Sequence, residues 1–320
     1  MKKLLRPLTA ALTVLALALP LTACGSSDDS DPKTLTVGFV VDPSWAQIPV
    51  AQQAGLFTKH DVKVKVVNFS TGVEALQALA AHQVDIATAA DVPTSATLTR
   101  SPALRVVGDG SRWEGSRIIA RRSAGITSVA NLAGHSIGTP LGTSAAYFAS
   151  NVLSHNGISA NLVQVAPSAT LTAATQHNVD AVSIFQPYQA QVAESLGDDA
   201  VELTGSTYNQ HSLYLATDSA IASKSAALTA FFAALGEAGT QLTARSDDAV
   251  SAVATATQLS PALIRKILPE FDYTLQLRPE LADTLAELGT WAKDQGKVDR
   301  STPLPDYKTM LDAGFVTRGN

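Results

Sequence analysis

From Thr34 onward the chain alternates short β-branched runs with amphipathic stretches, and this alternation constrains the fold more than any other feature. Apolar residues at every second position build a half-buried strand, whereas spacings of three and four build one face of a helix, so regular alternation of the two yields βα units and parallel strands. Strands are expected at Thr34–Val41, Val62–Phe69, Val84–Ala87 and Leu104–Val107, with helices ending at Ala54 and spanning Val73–Ala81 and Pro93–Leu98. A second run begins at Arg117, with strands at Arg117–Arg121, Ser136–Thr139, Leu162–Val165 and Ala181–Phe185 and helices at Thr143–Asn156, Thr170–His177 and Tyr188–Leu196. The runs echo each other: Ala81-His82-Gln83-Val84-Asp85-Ile86 matches Gln176-His177-Asn178-Val179-Asp180-Ala181, and Pro93 and Pro187 follow at similar distances. The last third has helical spacing over Ser223–Leu242 and Pro279–Trp291, few strand signals, and a helix start at Ser260-Pro261. Such a chain folds as two α/β lobes, the helical third returning to the first.

The N-terminus reads as an address. Lys2, Lys3 and Arg6 precede an apolar stretch from Leu8 to Leu19, too short to span a bilayer comfortably. Leu21-Thr22-Ala23-Cys24 follows and resembles the bacterial lipobox, which implies acylation of Cys24 and removal of what precedes it. Cys24 is the single cysteine, so an internal disulfide or a cysteine-based metal site is excluded. Residues 24–33 are short and polar and read as a flexible tether, and no later stretch reads as long and apolar enough to cross a membrane. The expected organisation is a signal peptide at 1–23, the tether at 24–33, one lobe from 34–112 and 210–320, and another from 113–209.

With 320 residues, 46% of them hydrophobic, the chain has material for one large core or two moderate ones. A formal charge of −5 without a basic cluster beyond the N-terminus argues against nucleic-acid binding. No His pair has metallopeptidase spacing, and there is no Gly-x-Ser-x-Gly elbow or phosphate-loop Gly-Lys-Ser/Thr, so neither catalysis nor a cofactor is expected. Without ATP-binding motifs, any energy must come from a partner.

Five stretches resemble the sulfonate, nitrate and taurine branch of solute-binding proteins of ABC transporters. They are Ala51-Gln52-Gln53-Ala54-Gly55-Leu56-Phe57, Gln83-Val84-Asp85-Ile86-Ala87, the segment from Ile126 through Asn131-Leu132-Ala133-Gly134, Ile137-Gly138-Thr139-Pro140, and Phe185-Gln186-Pro187-Tyr188. The resemblance implies a two-lobed type II periplasmic binding protein fold, shared with thiamine-precursor binders. Each lobe is a mainly parallel sheet flanked by helices, the lobes are joined by two crossover strands, and extra helices sit at the C-terminus. His135-Ser136 replaces a common lysine, and Gln186 a common acid. The implied role is extracytoplasmic capture of a small organic anion or zwitterion, with sulfonate or taurine-like solutes first and nitrate, aromatic acids or a thiamine-precursor pyrimidine behind them. The implied partners are permease transmembrane subunits with a separate ATPase, and the membrane through Cys24; the chain is expected to be monomeric and to face outside the cytoplasm. A ligand-sensing surface lipoprotein is the competing role.

In open α/β sheets, ligands sit beyond the carboxyl ends of strands. Pro140-Leu141-Gly142-Thr143-Ser144 is such a loop, where Gly142, Thr143, Ser144 and free N–H groups at a helix start suit an anionic head, or simply begin a helix. Trp45, Trp113, Tyr147, Phe185 and Tyr188 lie in or beside such loops, as cleft walls or as core. Asp42 and Asp91 suit a solute amine or a helix cap. Ser70, Gly72, Gln186 and His211 complete the candidates, with Arg112 and Arg117 the only cations nearby.

Overall fold

A computed structural model describes residues 31–316. The expected signal peptide, Cys24 and most of the expected tether lie outside them. Two sheets organise the chain, each flanked by helices.

The larger sheet contains β1 (Thr34–Val40), β2 (Lys63–Phe69), β3 (Ile86–Ala90), β4 (Leu104–Trp113), β10 (Gln210–Thr217) and β11 (Phe271–Asp272), in the order β11-β4-β10-β3-β1-β2. The smaller contains β5 (Ile118–Arg121), β6 (Ser136–Thr139), β7 (Asn161–Gln164), β8 (Ala181–Ser183) and β9 (Ala200–Leu203), in the order β7-β6-β8-β5-β9. Both are mixed rather than mainly parallel. β1 runs parallel to β2 and β3, but β10 is antiparallel to β3 and β4; β6 runs parallel to β7 and β8, but β5 is antiparallel to β8 and β9. The reason is connectivity: a strand that carries the chain in from the other sheet arrives at the opposite edge and so runs backwards.

The sequence echo is a structural repeat. His82 and His177 both adopt left-handed backbone, at φ 55° and 61°. Behind them, Gln83 N–H donates to Ala78 O and Asn178 N–H to Ala173 O, each at 2.9 Å. Each Asp then stitches its strand to the neighbour: Asp85 Oδ2 accepts from Thr36 N–H (2.8 Å) at β1, and Asp180 Oδ2 accepts from Ser136 N–H (3.0 Å) at β6. Lys224 pairs with Asp85 at 2.8 Å, as Arg121 does with Asp180 at 3.3 Å, and His135 Nδ1 lies 3.2 Å from the same Asp180 carboxylate.

Helices α1 (Gln47–Gln53), α2 (Leu56–Lys59), α3 (Gly72–Ala80) and α4 (Asp91–Leu98) belong to the larger sheet. Helices α5 (Ser144–His155), α6 (Thr170–Thr175) and α7 (Tyr188–Leu196) belong to the smaller. The C-terminal third supplies α8 (Asp218–Thr243), α9 (Asp247–Thr257), α10 (Pro261–Ile267) and α11 (Leu281–Asp294). Ser260 caps α10 through Leu263 N–H (3.2 Å), with Pro261 in the first turn. By length and composition α8 is apolar enough to cross a bilayer, which corrects the expectation that no later stretch would be. Its Leu228, Phe231, Phe232, Leu235 and Leu242 are nevertheless buried, and Phe231 stacks on Phe57 at 5.5 Å between centroids.

One apolar core fills the larger sheet and continues into the smaller through Ile119, Val182, Ile184 and Phe185. A separate cluster around Ile118, Ile126, Phe148 and Val152 packs the remaining face of the smaller sheet.

Candidate solute cleft

The carboxyl ends of β1 and β3 and those of β6 and β8 point toward one another, and a narrow cavity lies between them. It is lined by Val40, Asp42, Trp45, Gly72, Ala90, Pro93, Thr143, Ser144, Phe185 and Gln210. Every one of these follows or ends a parallel strand, except Gln210, which opens the antiparallel β10 and so reaches the same edge from the other direction. Only about 20 Å³ is open to water-sized occupants, close to the ~10–15 Å³ that a single water needs.

Asp42 is 3% exposed and ends the chain's exit from β1; its Oδ1 accepts from Ser44 N–H at 2.7 Å, fixing the turn that carries Trp45. Burial pushes its carboxyl up to about 7, against the lowering pull of the Ser44 bond. Trp45 anchors its wall by donating Nε1–H to Leu213 O at 3.2 Å. Gly72 lines the floor because a Cβ there would lie 2.9 Å from Ala89, so only glycine lets α3 start this close to β3. Thr143 does not cap α5: its hydroxyl donates back to Pro140 O (2.7 Å), which leaves the first N–H groups of a twelve-residue helix without a side-chain partner at the cavity. Such a terminus carries a partial positive charge.

Six of the twelve expected ligand residues thus line the cavity: Asp42, Trp45, Gly72, Thr143, Ser144 and Phe185. The others sit elsewhere. Ser70 is exposed and its N–H donates to Glu74 Oε2 (3.1 Å), while Glu74 N–H donates to Thr71 (3.2 Å), so this segment is spent on starting α3. Gly142 holds a left-handed turn at φ 84° beside the cavity without lining it. Asp91 is fully buried, accepting from Val92 N–H (2.8 Å), His211 N–H (3.0 Å) and the Tyr208 hydroxyl. Burial raises Asp91 to about 6, opposed by His211 and Tyr208.

Trp113 and Gln186 meet behind the cleft, where both donate to Glu270 Oε2, at 2.9 and 3.3 Å, and Trp113 stacks on Phe271. Tyr188 packs edge-on to Phe185 at 6.2 Å, outside the lining. His211 pairs with Asp109 (2.8 Å); burial lowers its basicity, but the bond and charge of Asp109 outweigh this and the net shift is upward. Arg112 is engaged by Asp109 and Asp272, and Arg117 by Ser116 O, so neither cation lines the cavity.

Four lining residues escape sequence reasoning: Val40, Ala90, Pro93 and Gln210. The first three carry no chemical signal beyond their place at strand ends. Gln210 opens a strand that the pattern does not show. Outside the lining, Tyr147 of α5 sits edge-on to Trp291 of α11 (5.1 Å) and to Tyr208 (4.9 Å), an aromatic clasp between a helix of the smaller sheet and one of the C-terminal third.

Comparison with known proteins agrees with this architecture. A family model described as NMT1/THI5 like matches residues 42–249. A Brucella abortus (strain 2308) protein named as a binding protein is 30% identical over 186 residues, 57% of either chain. A Bacillus subtilis (strain 168) protein named for aliphatic sulfonate binding is 30% identical over 191 residues, 55% of this chain and 56% of its own. The chain therefore spans little more than half the length of the curated relatives it matches. The crystal structure of the periplasmic aliphatic sulphonate binding protein SsuA from Escherichia coli superposes with a TM-score of 0.74 at 21% identity, covering 87% of this chain and 97% of that one.

Proposed function

The chain belongs to the NMT1/THI5-like family, and from that premise we propose that it is the extracytoplasmic solute-binding receptor of an ABC importer. It captures a small organic anion or zwitterion, sulfonate or taurine-like, between its two lobes and hands it to a permease driven by a separate ATPase. Residues 34–113, because Trp113 ends β4, with 210–316 form one lobe and 114–209 the other, and acylated Cys24 holds the receptor at the outer face of the membrane.

The observation that carries this reading is the cavity enclosed by the strand ends of both sheets, with the uncapped start of α5 on one side and Trp45 and Phe185 as walls. A helix start contributes only about 0.3–1 kcal/mol, up to ~2 when partly buried, whereas micromolar affinity needs about 8 kcal/mol. The balance comes from apolar walls and from closing the lobes over the solute. Because the cavity is far smaller than an organic solute, the lobes must part to admit one, and the solute then favours whichever lobe arrangement it binds more tightly. Binding rather than catalysis is supported by the relatives named as binding proteins.

Small-angle scattering tests the reading. A solute found by thermal-shift screening of sulfonates, aminosulfonates, nitrate, aromatic acids and pyrimidines should reduce the radius of gyration at saturation. At a hundredfold excess over Kd it should also add about 2.7 kcal/mol of stability. Unchanged radii would count against closure, and unimpaired uptake of that solute in a deletion strain would favour the sensor role instead.

A further inference from the structure

The polar groups of the cleft sort by side. On the smaller lobe, α5 presents N–H donors without a side-chain cap. On the larger lobe the cavity meets acceptors. Asp42 is buried, and its carboxyl group forms no ion pair among the described residues and accepts a backbone bond only from Ser44. Gln210 is 2% exposed, and its buried Oε1 has no hydrogen-bond partner at all. Buried acceptors are almost always satisfied in native proteins, so an orphan at a binding cavity marks a group that a ligand completes. No Lys, Arg or His lines the cavity. A solute that is only an anion would offer neither Asp42 nor Gln210 a donor, and would be repelled by Asp42 wherever that carboxyl is ionised. An amino group would supply N–H donors to both.

We infer that Asp42 and Gln210 form an amino-recognition subsite, so that the receptor selects small solutes carrying an amino group, with their acidic or polar end at the start of α5, over simple anions. This rests on the proposed receptor reading of the same cleft. The position of Gln210 adds a consequence. It opens β10 directly after the return crossing, next to His211, whose N–H is bonded to Asp91, and close to Tyr208, whose hydroxyl is bonded to the same carboxylate. The amino group is therefore read at the joint between the lobes.

Calorimetric titration of the full-length chain with matched pairs tests this: taurine against ethanesulfonate, β-alanine against propionate, and 4-amino-2-methylpyrimidine against 2-methylpyrimidine. At least one amino member should bind, with its amine-free twin at least tenfold weaker. Asp42→Asn keeps a side chain able to cap the Ser44 turn, and Gln210→Met keeps the volume. Each should weaken the amino member at least tenfold and so close the gap to its twin; should either variant fail to fold, the wild-type pairs still decide. An amine-free twin binding as tightly as its partner overturns the subsite and leaves the receptor reading standing. Heat from no member of any pair overturns both.

Discussion

Asp42 is a carboxyl group that folding withholds from water with little in return. Burial carries its acidity from an ordinary 3.8 to about 7, so between those values the unfolded chain releases a proton that the folded chain retains. The contribution of Asp42 to native stability then falls as pH rises from about 4 to 7 and levels off above, the opposite of a salt-bridged carboxylate. Asp91, raised to about 6, adds to the same slope despite its three donors. With each tenfold change in acidity worth about 1.4 kcal/mol, Asp42→Asn should stabilise the ligand-free protein at pH 8 by a few kcal/mol and flatten this decline, as read by urea unfolding across the range. A wild-type decline between pH 4 and 7 no steeper than that of Asp42→Asn would show that the carboxyl is not held neutral. Asp42 was legible in the sequence because an acid on a strand-end loop stands out from an apolar run. Gln210 was not: its signal is an unmet hydrogen bond, which exists only once β10 is in place. Trp113 shows the converse, since an indole near a strand end reads the same whether it faces a solute or, as here, Phe271 and Glu270.

At the level of elements, the turn before β3 and the turn before β8 do the same work with the same residues. Asp85 and Asp180 each accept an N–H near the start of the adjoining strand, at Thr36 in β1 and Ser136 in β6, and hold it in register. Removing either carboxylate strands a donor, so Asp85→Ala and Asp180→Ala should each cost about 1–3 kcal/mol in denaturant unfolding; a loss below the measurement error would deny the stitch. The clasp of Tyr147 on Trp291 is a contact between α5 and α11, elements far apart in the chain. Aromatic pairs contribute about 0.5–1.5 kcal/mol beyond buried area, so Trp291→Ala should weaken solute binding roughly two- to tenfold by calorimetry without changing which solute is preferred. The βα alternation was readable because its period is local. β9, β10 and α9 were missed for equally physical reasons: β9 is four residues long, and β10 is buried along almost its whole length, so it lacks the alternation that marks a half-exposed strand. In α9 the buried face is Ala249, Val250, Ala252, Val253 and Ala254, with no Leu, Ile or aromatic residue to mark it.

For the molecule as a whole, the α/β class and the division into two sheets followed from the order of elements, while strand direction did not, because direction depends on which edge a returning chain reaches. Sequence periodicity carries no record of that. The two crossings themselves are neighbours: Trp113, where the chain leaves the larger sheet, is the register partner of Gln210, where it comes back. Everything from 114 to 209 therefore passes in and out through a single doorway the width of two adjacent strands. The closure proposed above would then be a swing about these two strands, like a gate on paired pins, and the residues beside those pins would feel the leverage of whatever lies in the gap.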